Sequence, residues 1–553
     1  MMCQIIIVFL FISPIALING YGKNQNPIVN APFGDIQGTT IRSLLGRSIY
    51  SFIGIRYAKP PVGELRFMPP VPIEKWNSVY DATKDGPLCP QPSNLKMSED
   101  CLFLNVYTTK LPSEYCNPKR PVLFYIHPGG FYSGTSLSTR AGPKYYLDQD
   151  IVLVTINYRL GALGFISTGD HFAPGNNGLK DQVLALKWVK ENIASFGGDP
   201  NLVTLVGYSA GGASVASHLC SPMSRGLFHR AIQMSGQVFG QLPIGNHQLH
   251  LAQKQARLVG CPDDTSENIM KCLRTKGAKE LADSFGGFAE FGYDPVLLWR
   301  PVVELDFGQE RFLTETPIQS VINGNFQKMP IMAGITTEEF SYRALATVEN
   351  PELLRTMDEE FERVAPIAFI YERNTTRSKA ASKKLREVFL GSDKLSRDSL
   401  TGLRHLYADG IGGFGLNRGV KLMAATNTKN TYYYRFSFVG KIHFYLPNTT
   451  EEFGAVHHDE LLYMFNSERF PTINVTDPEY AMIKKLTTLH TNFAYTGNPT
   501  PRKSELLDNE LWSPITPQNN VYMDIDKKLT MKKDLYEERY SVWNSLFPLR
   551  DYE

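Results

Sequence analysis

The sequence predicts an α/β protein with a mostly parallel central sheet flanked by helices. Three observations carry that expectation. Short apolar runs rich in β-branched residues recur along the chain, as in strands buried on both faces. A stretch with apolar residues at helical spacing lies between two of them, and strand–helix–strand succession is the pattern of a parallel sheet. One run passes through a glycine-flanked serine into a further helical stretch, so a sharp strand–turn–helix connection is written into the chain.

In chain order, an apolar stretch from Ile5 to Ile18 comes first and passes through Gly20 into the polar YGKNQN. It is too short to span a bilayer comfortably and reads as a signal peptide over residues 1–20, although no Lys or Arg precedes it. PVLFYIH (121–127) and DIVLVTINY (150–158) follow as buried strands, and LKDQVLALKWVKENIASF (179–196) as a helix. NLVTLVGY (201–208) is a strand that turns at Ser209 into a helix. MPIMAGIT (329–336) and NTYYYRFSFV (430–439) are two further strands. No internal repeat, low-complexity tract or Pro/Gly/Ser linker divides the chain. The polar NSLFPLRDYE at the end carries neither a lipid-anchor nor a KDEL-type signal.

Apolar residues make up 42% and charged residues 20% of the 553, which fits a globular chain with a large core. A formal net charge of +2 leaves no electrostatic footprint for nucleic acid or a strongly acidic partner. A signal peptide implies a secreted, extracellular protein and an oxidising compartment, so the seven cysteines are candidates for disulfides. Cys89 and Cys101 bracket one short loop, Cys261 and Cys272 another, and local disulfides would staple both. Cys3 lies in the presumed signal, and Cys116 and Cys220 are left over. Asn374, Asn448 and Asn474 begin glycosylation triplets, compatible with secretion.

The chemistry begins at GYSAG (207–211). In a strand–turn–helix context this pattern exposes a serine, Ser209, at the start of a helix, with the N–H of Ala210 facing a bound carbonyl. IHPGGFYSG (126–134) follows a strand with consecutive glycines. Pro128 has no N–H to donate, but Gly129 and Gly130 do, so three backbone donors are available for an oxyanion. A serine hydroxyl needs a base, and the base needs an acid to orient it. AGITTEEFSY (333–342) offers Glu338 or Glu339, and GAVHHDELLYMF (454–465) offers His457 or His458. The order serine, acid, histidine is the one this fold class uses.

These motifs carry a resemblance. Together with SFIGIRYAKPPVGELRF (51–67), EDCLFLNVY (99–107), NYRLGALGF (157–165) and GNNGLKDQVLALKWVKENIASFGGDP (175–200), they make the chain similar to type-B carboxylesterases of the cholinesterase–carboxylesterase family, and within it to secreted insect esterases, over about residues 27–545. The resemblance implies one α/β-hydrolase domain over 21–553, with large loop insertions forming an active-site gorge, where length alone would suggest three or four domains. It implies a catalytic Ser209, Glu339 and His457, an oxyanion hole at Gly129, Gly130 and Ala210, and disulfides Cys89–Cys101 and Cys261–Cys272. Arg66–Glu99 and Arg159–Asp181 match buried structural ion pairs of the family. The implied reaction is hydrolysis of small carboxylic esters through an acyl-enzyme, with no metal or organic cofactor and no stable membrane anchor.

The chain departs from the family at Tyr208, where most relatives carry Glu, at Phe340, where Gly usually follows the acid, and at His458, where a small residue usually follows the base. The loop from Cys89 to Cys101 has no aromatic residue, so the ammonium-binding face that choline esters need is absent from it. Narrower readings are a juvenile hormone esterase, which typically carries Gln at the Tyr208 position, or a pheromone or odorant esterase. The reading from another class is a non-catalytic, cholinesterase-like adhesion protein. Such relatives have usually lost a reacting group, and all three are present here.

Overall fold

The structure is a computed structural model that describes residues 26–446 and 452–552. The expected signal peptide at 1–20 and the triplet at Asn448 lie outside the described residues. The main sheet is built from β1 (Thr39–Arg42), β2 (Ser48–Arg56), β3 (Phe103–Thr108), β4 (Arg120–Ile126), β5 (Val152–Ile156), β6 (Gly198–Tyr208), β7 (Arg230–Met234), β8 (Ile331–Thr336), β9 (Thr431–Phe436), β10 (Val521–Ile525) and β11 (Leu529–Lys533). They lie in the order β11-β10-β9-β8-β7-β6-β4-β5-β3-β2-β1. From β10 to β5 every pairing is parallel, and both edges are antiparallel.

The helices that matter for the site are α1 (Asn177–Asn192), α2 (Ala210–Cys220), α3 (Ser341–Glu349), α4 (Phe414–Thr426) and α5 (Tyr480–Thr496). Side chains alternate across a strand, and β4 divides accordingly. Val122, Phe124 and Ile126 pack in one layer with Leu179, Val183 and Leu186 of α1, Val215 of α2 and Val420 of α4. Leu123 and Tyr125 face the other way, with Ile483, Leu486 and Phe493 of α5. Both faces are covered, which is why the central strands read as continuous apolar runs. Each such large side chain contributes about 1.5–3 kcal/mol by leaving water.

The expected helix over 179–196 runs as α1 to Asn192 and tightens into one further turn, Ile193–Phe196. Gly197 ends it at φ +81°, the left-handed stop that glycine tolerates best. The antiparallel strands β1 and β2 were not foreseen. β2 carries a register shift between Phe52 and Ile55, and Gly54 in that bulge sits at φ +71°, where a Cβ would meet Lys84 O at 2.2 Å. A bulge breaks the two-residue alternation that marks a strand in sequence.

Candidate active site

Three loops meet above the C-terminal ends of the parallel strands, where ligands bind in sheets of this kind. They follow β4, β6 and β8, and a fourth segment joins them: Glu338 N donates to Ala455 O at 2.8 Å, tying the acid loop to the histidine loop.

Ser209 leaves β6 at φ +55°, ψ −118°, an uncommon conformation for a residue with a side chain. Its own backbone holds it there. Ser209 N donates to Met234 O at 2.8 Å, and Ser209 O accepts from Ala213 N at 2.8 Å. The glycines make room. A Cβ on Gly211 would sit 2.1 Å from Ile126 O, and one on Gly236 would sit 1.8 Å from Ser209 O. Serine at a helix start usually turns its hydroxyl onto the first amides. Here it makes no such capping bond; Ser209 Oγ lies instead 3.0 Å from His457 Nε2.

The other nitrogen of that ring, Nδ1, meets Glu339 Oε2 in a close contact, and both side chains are about 1% exposed. Glu339 Oε1 accepts from Thr336 N at 2.9 Å, so both carboxylate oxygens are occupied and the carboxylate is held in place. The neighbouring Glu338 turns away and accepts from Arg404 Nε at 2.9 Å. His458 likewise does not reach the serine. Its backbone N–H donates to Tyr208 Oη at 2.9 Å.

The three departures from the family surround His457. The Phe340 ring stacks on it at 4.1 Å and the His458 ring at 4.4 Å, while Tyr208 lies 5.3 Å away. Phe340 and His458 both have positive φ, +56° and +80°, a conformation that glycine would adopt at less cost. Burial first, then His457 and Arg469, hold the His458 pKa well below the ordinary histidine value. Burial, then Glu339 and Glu460, push the Tyr208 phenol far up. Burial and then Glu339 also push the Glu460 carboxyl well above the usual range. Burial thus favours the uncharged forms of His458, Tyr208 and Glu460, which pack around Glu339 and His457.

Gly129 and Gly130 follow β4 at φ +121° and +59°. Their amides and that of Ala210 make no hydrogen bond among the described residues, and Ala210 stands at the positive end of α2. A tight cavity of about 50 Å³ opens on Ser209, Ala210, Phe131 and Phe340. A second, of about 530 Å³, is lined by Gly129, Ser133, Phe444, Tyr445 and His458. Among the described residues no cluster of three or more His, Cys, Asp or Glu side chains could hold a metal ion.

Disulfides join Cys89 to Cys101 and Cys261 to Cys272. Cys220 is a buried thiol, pushed up to about 12 by desolvation. Arg159 grips Asp181 with two bonds of 2.8 and 2.7 Å, and Arg66 Nε donates to Glu99 at 2.6 Å. Asn374 and Asn474 are exposed. No helix of the described residues is long and apolar enough to cross a membrane.

The parallel sheet and the serine turn at its C-terminal edge define an α/β hydrolase. Residues 25–543 match the carboxylesterase family, and the chain belongs to that family as a carboxylic ester hydrolase. It is 38% identical to juvenile hormone esterase of Tribolium castaneum, over 87% of this chain and 85% of that one. It is 36% identical to esterase FE4 of Myzus persicae, over 89% and 87%. A crystal structure of juvenile hormone esterase from Manduca sexta, with OTFP covalently attached, superposes with a TM-score of 0.82 at 29% identity, covering 94% of this chain and 99% of that one.

Sequence reading brought forward every residue of the serine, acid and histidine cluster, but missed the side chains that line its cavities. Arg300 is the clearest case. It borders the Ser209 cavity from the run VLLWRPVV (296–303), where a single cation in an apolar stretch was the only signal.

Proposed function

We propose that this protein is a secreted serine esterase that cleaves small carboxylic esters through an acyl-enzyme on Ser209. One observation carries the reading: His457 lies within hydrogen-bond reach of both Ser209 Oγ and Glu339. His457 Nε2 takes the hydroxyl proton as Ser209 Oγ attacks the ester carbonyl. Glu339 keeps the imidazole oriented and stabilises its charged form. The N–H groups of Gly129, Gly130 and Ala210 receive the developing oxyanion, and each such donor is worth about a hundredfold or more in rate. His457 then protonates the departing alcohol. Water, activated by the same imidazole, releases the acid and restores Ser209.

Secretion rests on the apolar stretch at 5–18 and on the two disulfides. One relative, 35% identical over 90% of this chain, is named venom carboxylesterase-6 of Apis mellifera. Relatives of nearly equal similarity bear different substrate names, so the natural ester has to be read from the cavity.

The test is Ser209→Ala, assayed with a neutral p-nitrophenyl ester and with a fluorophosphonate label. The variant is expected to lose turnover by on the order of 10⁵–10⁶-fold and to lose the label, while melting like the wild type. Undiminished hydrolysis, or labelling at another residue, refutes the mechanism.

A further inference from the structure

Arg300 stands on the wall between two cavities and makes no ion pair among the described residues. It borders the small cavity at Ser209 and a larger one of about 580 Å³. Leu242, Leu297, Pro301 and Ile370 border both as well. Its backbone is pinned, since Arg300 N donates to Gln248 Oε1 at 3.3 Å and Gln248 Nε2 donates to Arg300 O at 2.6 Å. Its guanidinium is not. Nη1 makes one long bond of 3.4 Å to Leu242 O, and the remaining donors have no protein acceptor among the described residues. Arginine carries five N–H groups in a planar fork that matches a carboxylate.

The neighbouring carboxylates are engaged elsewhere. Glu290 accepts from Arg373 at 2.9 Å, Asp294 from Arg343 at 3.0 Å, Glu304 from Lys180 at 2.6 Å, and Glu372 accepts from Thr375 at 3.0 Å with Arg377 at 3.8 Å. The larger cavity also carries Lys254, Arg257, Arg373, His247 and His250 against two carboxylates, Glu290 and Glu372, so its lining is basic on balance. Burial first, then His247, Arg300 and Arg373, hold the His250 pKa below the ordinary value, so the positive field is felt on that wall. A partly desolvated cation without a partner is costly, and an arriving anion relieves the cost.

We infer that Arg300 is a specificity-determining residue that favours esters bearing a carboxylate on the portion entering the Ser209 cavity. The inference rests on the serine-esterase reading above. The apolar side chains of Phe131, Leu242, Leu297 and Ile370 suit a short aliphatic chain, and Arg300 suits a charged end to it. The substrate class is the half-ester of a short dicarboxylic acid. The basic outer cavity would draw such an anion inward.

The experiment compares p-nitrophenyl hydrogen glutarate with p-nitrophenyl valerate, which match in chain length but differ in the terminal charge. The readout is the ratio of their kcat/KM values, which does not depend on how much of a preparation is folded. Arg300→Gln is expected to lower the glutarate-to-valerate ratio at least about tenfold, the scale of a lost charge-assisted bond. Arg300→Lys should keep the ratio within about threefold of wild type, because the charge remains. A ratio unchanged in Arg300→Gln overturns the inference, as does an equal fall on both esters. If the wild type cleaves neither ester and takes no fluorophosphonate label, the esterase reading itself fails and this inference falls with it. Label without cleavage of the glutarate overturns only the inference.

Discussion

Tyr208 puts a phenol directly before the serine, and the contacts explain what that phenol does. Its Oη accepts the backbone N–H of His458 at 2.9 Å, which holds a left-handed residue directly after His457. Tyr208→Phe would leave that buried N–H unpaired, at a cost of about 1–3 kcal/mol. We expect kcat on a neutral ester to fall about tenfold with KM nearly unchanged, because the imidazole's aim is lost and no substrate contact is. Steady-state kinetics on the variant check this, and a change confined to KM would contradict it. Ser209 was legible in the sequence because only small residues fit around it. The choice between Glu338 and Glu339, or between His457 and His458, was not legible from spacing. Adjacent loop residues point in different directions, and only the partners Arg404 and Tyr208 show which way each one turns.

At the scale of the element, the serine turn depends on backbones passing closer than any side chain permits. Gly211→Ala puts a Cβ 2.1 Å from Ile126 O, a strand backbone that cannot yield without disturbing β4. It should cost more than about 3 kcal/mol, the upper range for single substitutions with a named steric cause. Gly286→Ala is the matched control. Its Cβ would meet nothing within 4 Å and its φ is not positive, so its midpoint should move by no more than about 0.5 kcal/mol. Chemical denaturation of both reads the difference, and equal midpoints would show that the close passage carries no stability. The Cys261–Cys272 disulfide spans a sequence separation of 11. Replacing both cysteines by Ala should remove about 2–4 kcal/mol, measurable in the same assay. The central strands and α1 were legible because each keeps one period over its whole length. The strand β2 was not, because the bulge at Gly54 switches its faces midway, and one of its partners, β3, lies some way along the chain.

Across the whole molecule, three buried histidines make the fold sensitive to acid. His127 stacks on Tyr158 at 4.4 Å, His218 bridges Gln182 and Ser224 at 2.9 and 2.7 Å, and His490 pairs with Tyr146 at 2.6 Å. Desolvation lowers their pKa values from 6.5 to about 4, about 3 and about 3. Between about pH 6.5 and those values the unfolded chain binds a proton at each of these three imidazoles that the folded chain does not. Stability therefore rises with pH through this window and is lost as pH falls. Each histidine contributes a slope approaching about 1.4 kcal/mol per pH unit, so these three supply up to about 4 kcal/mol per unit below pH 6, partly offset by the buried Asp294 and Asp409, whose carboxyls desolvation raises to about 6. Guanidinium unfolding at steps from pH 7.5 to 5 should show the midpoint flat above pH 7 and falling steadily below 6.5. His490→Gln removes one of these titrating groups and should make the slope shallower by up to about 1.4 kcal/mol per pH unit, whatever it does to the midpoint at pH 7.5. A wild-type midpoint that stays level down to pH 5 would mean that these imidazoles do not hold their neutral form.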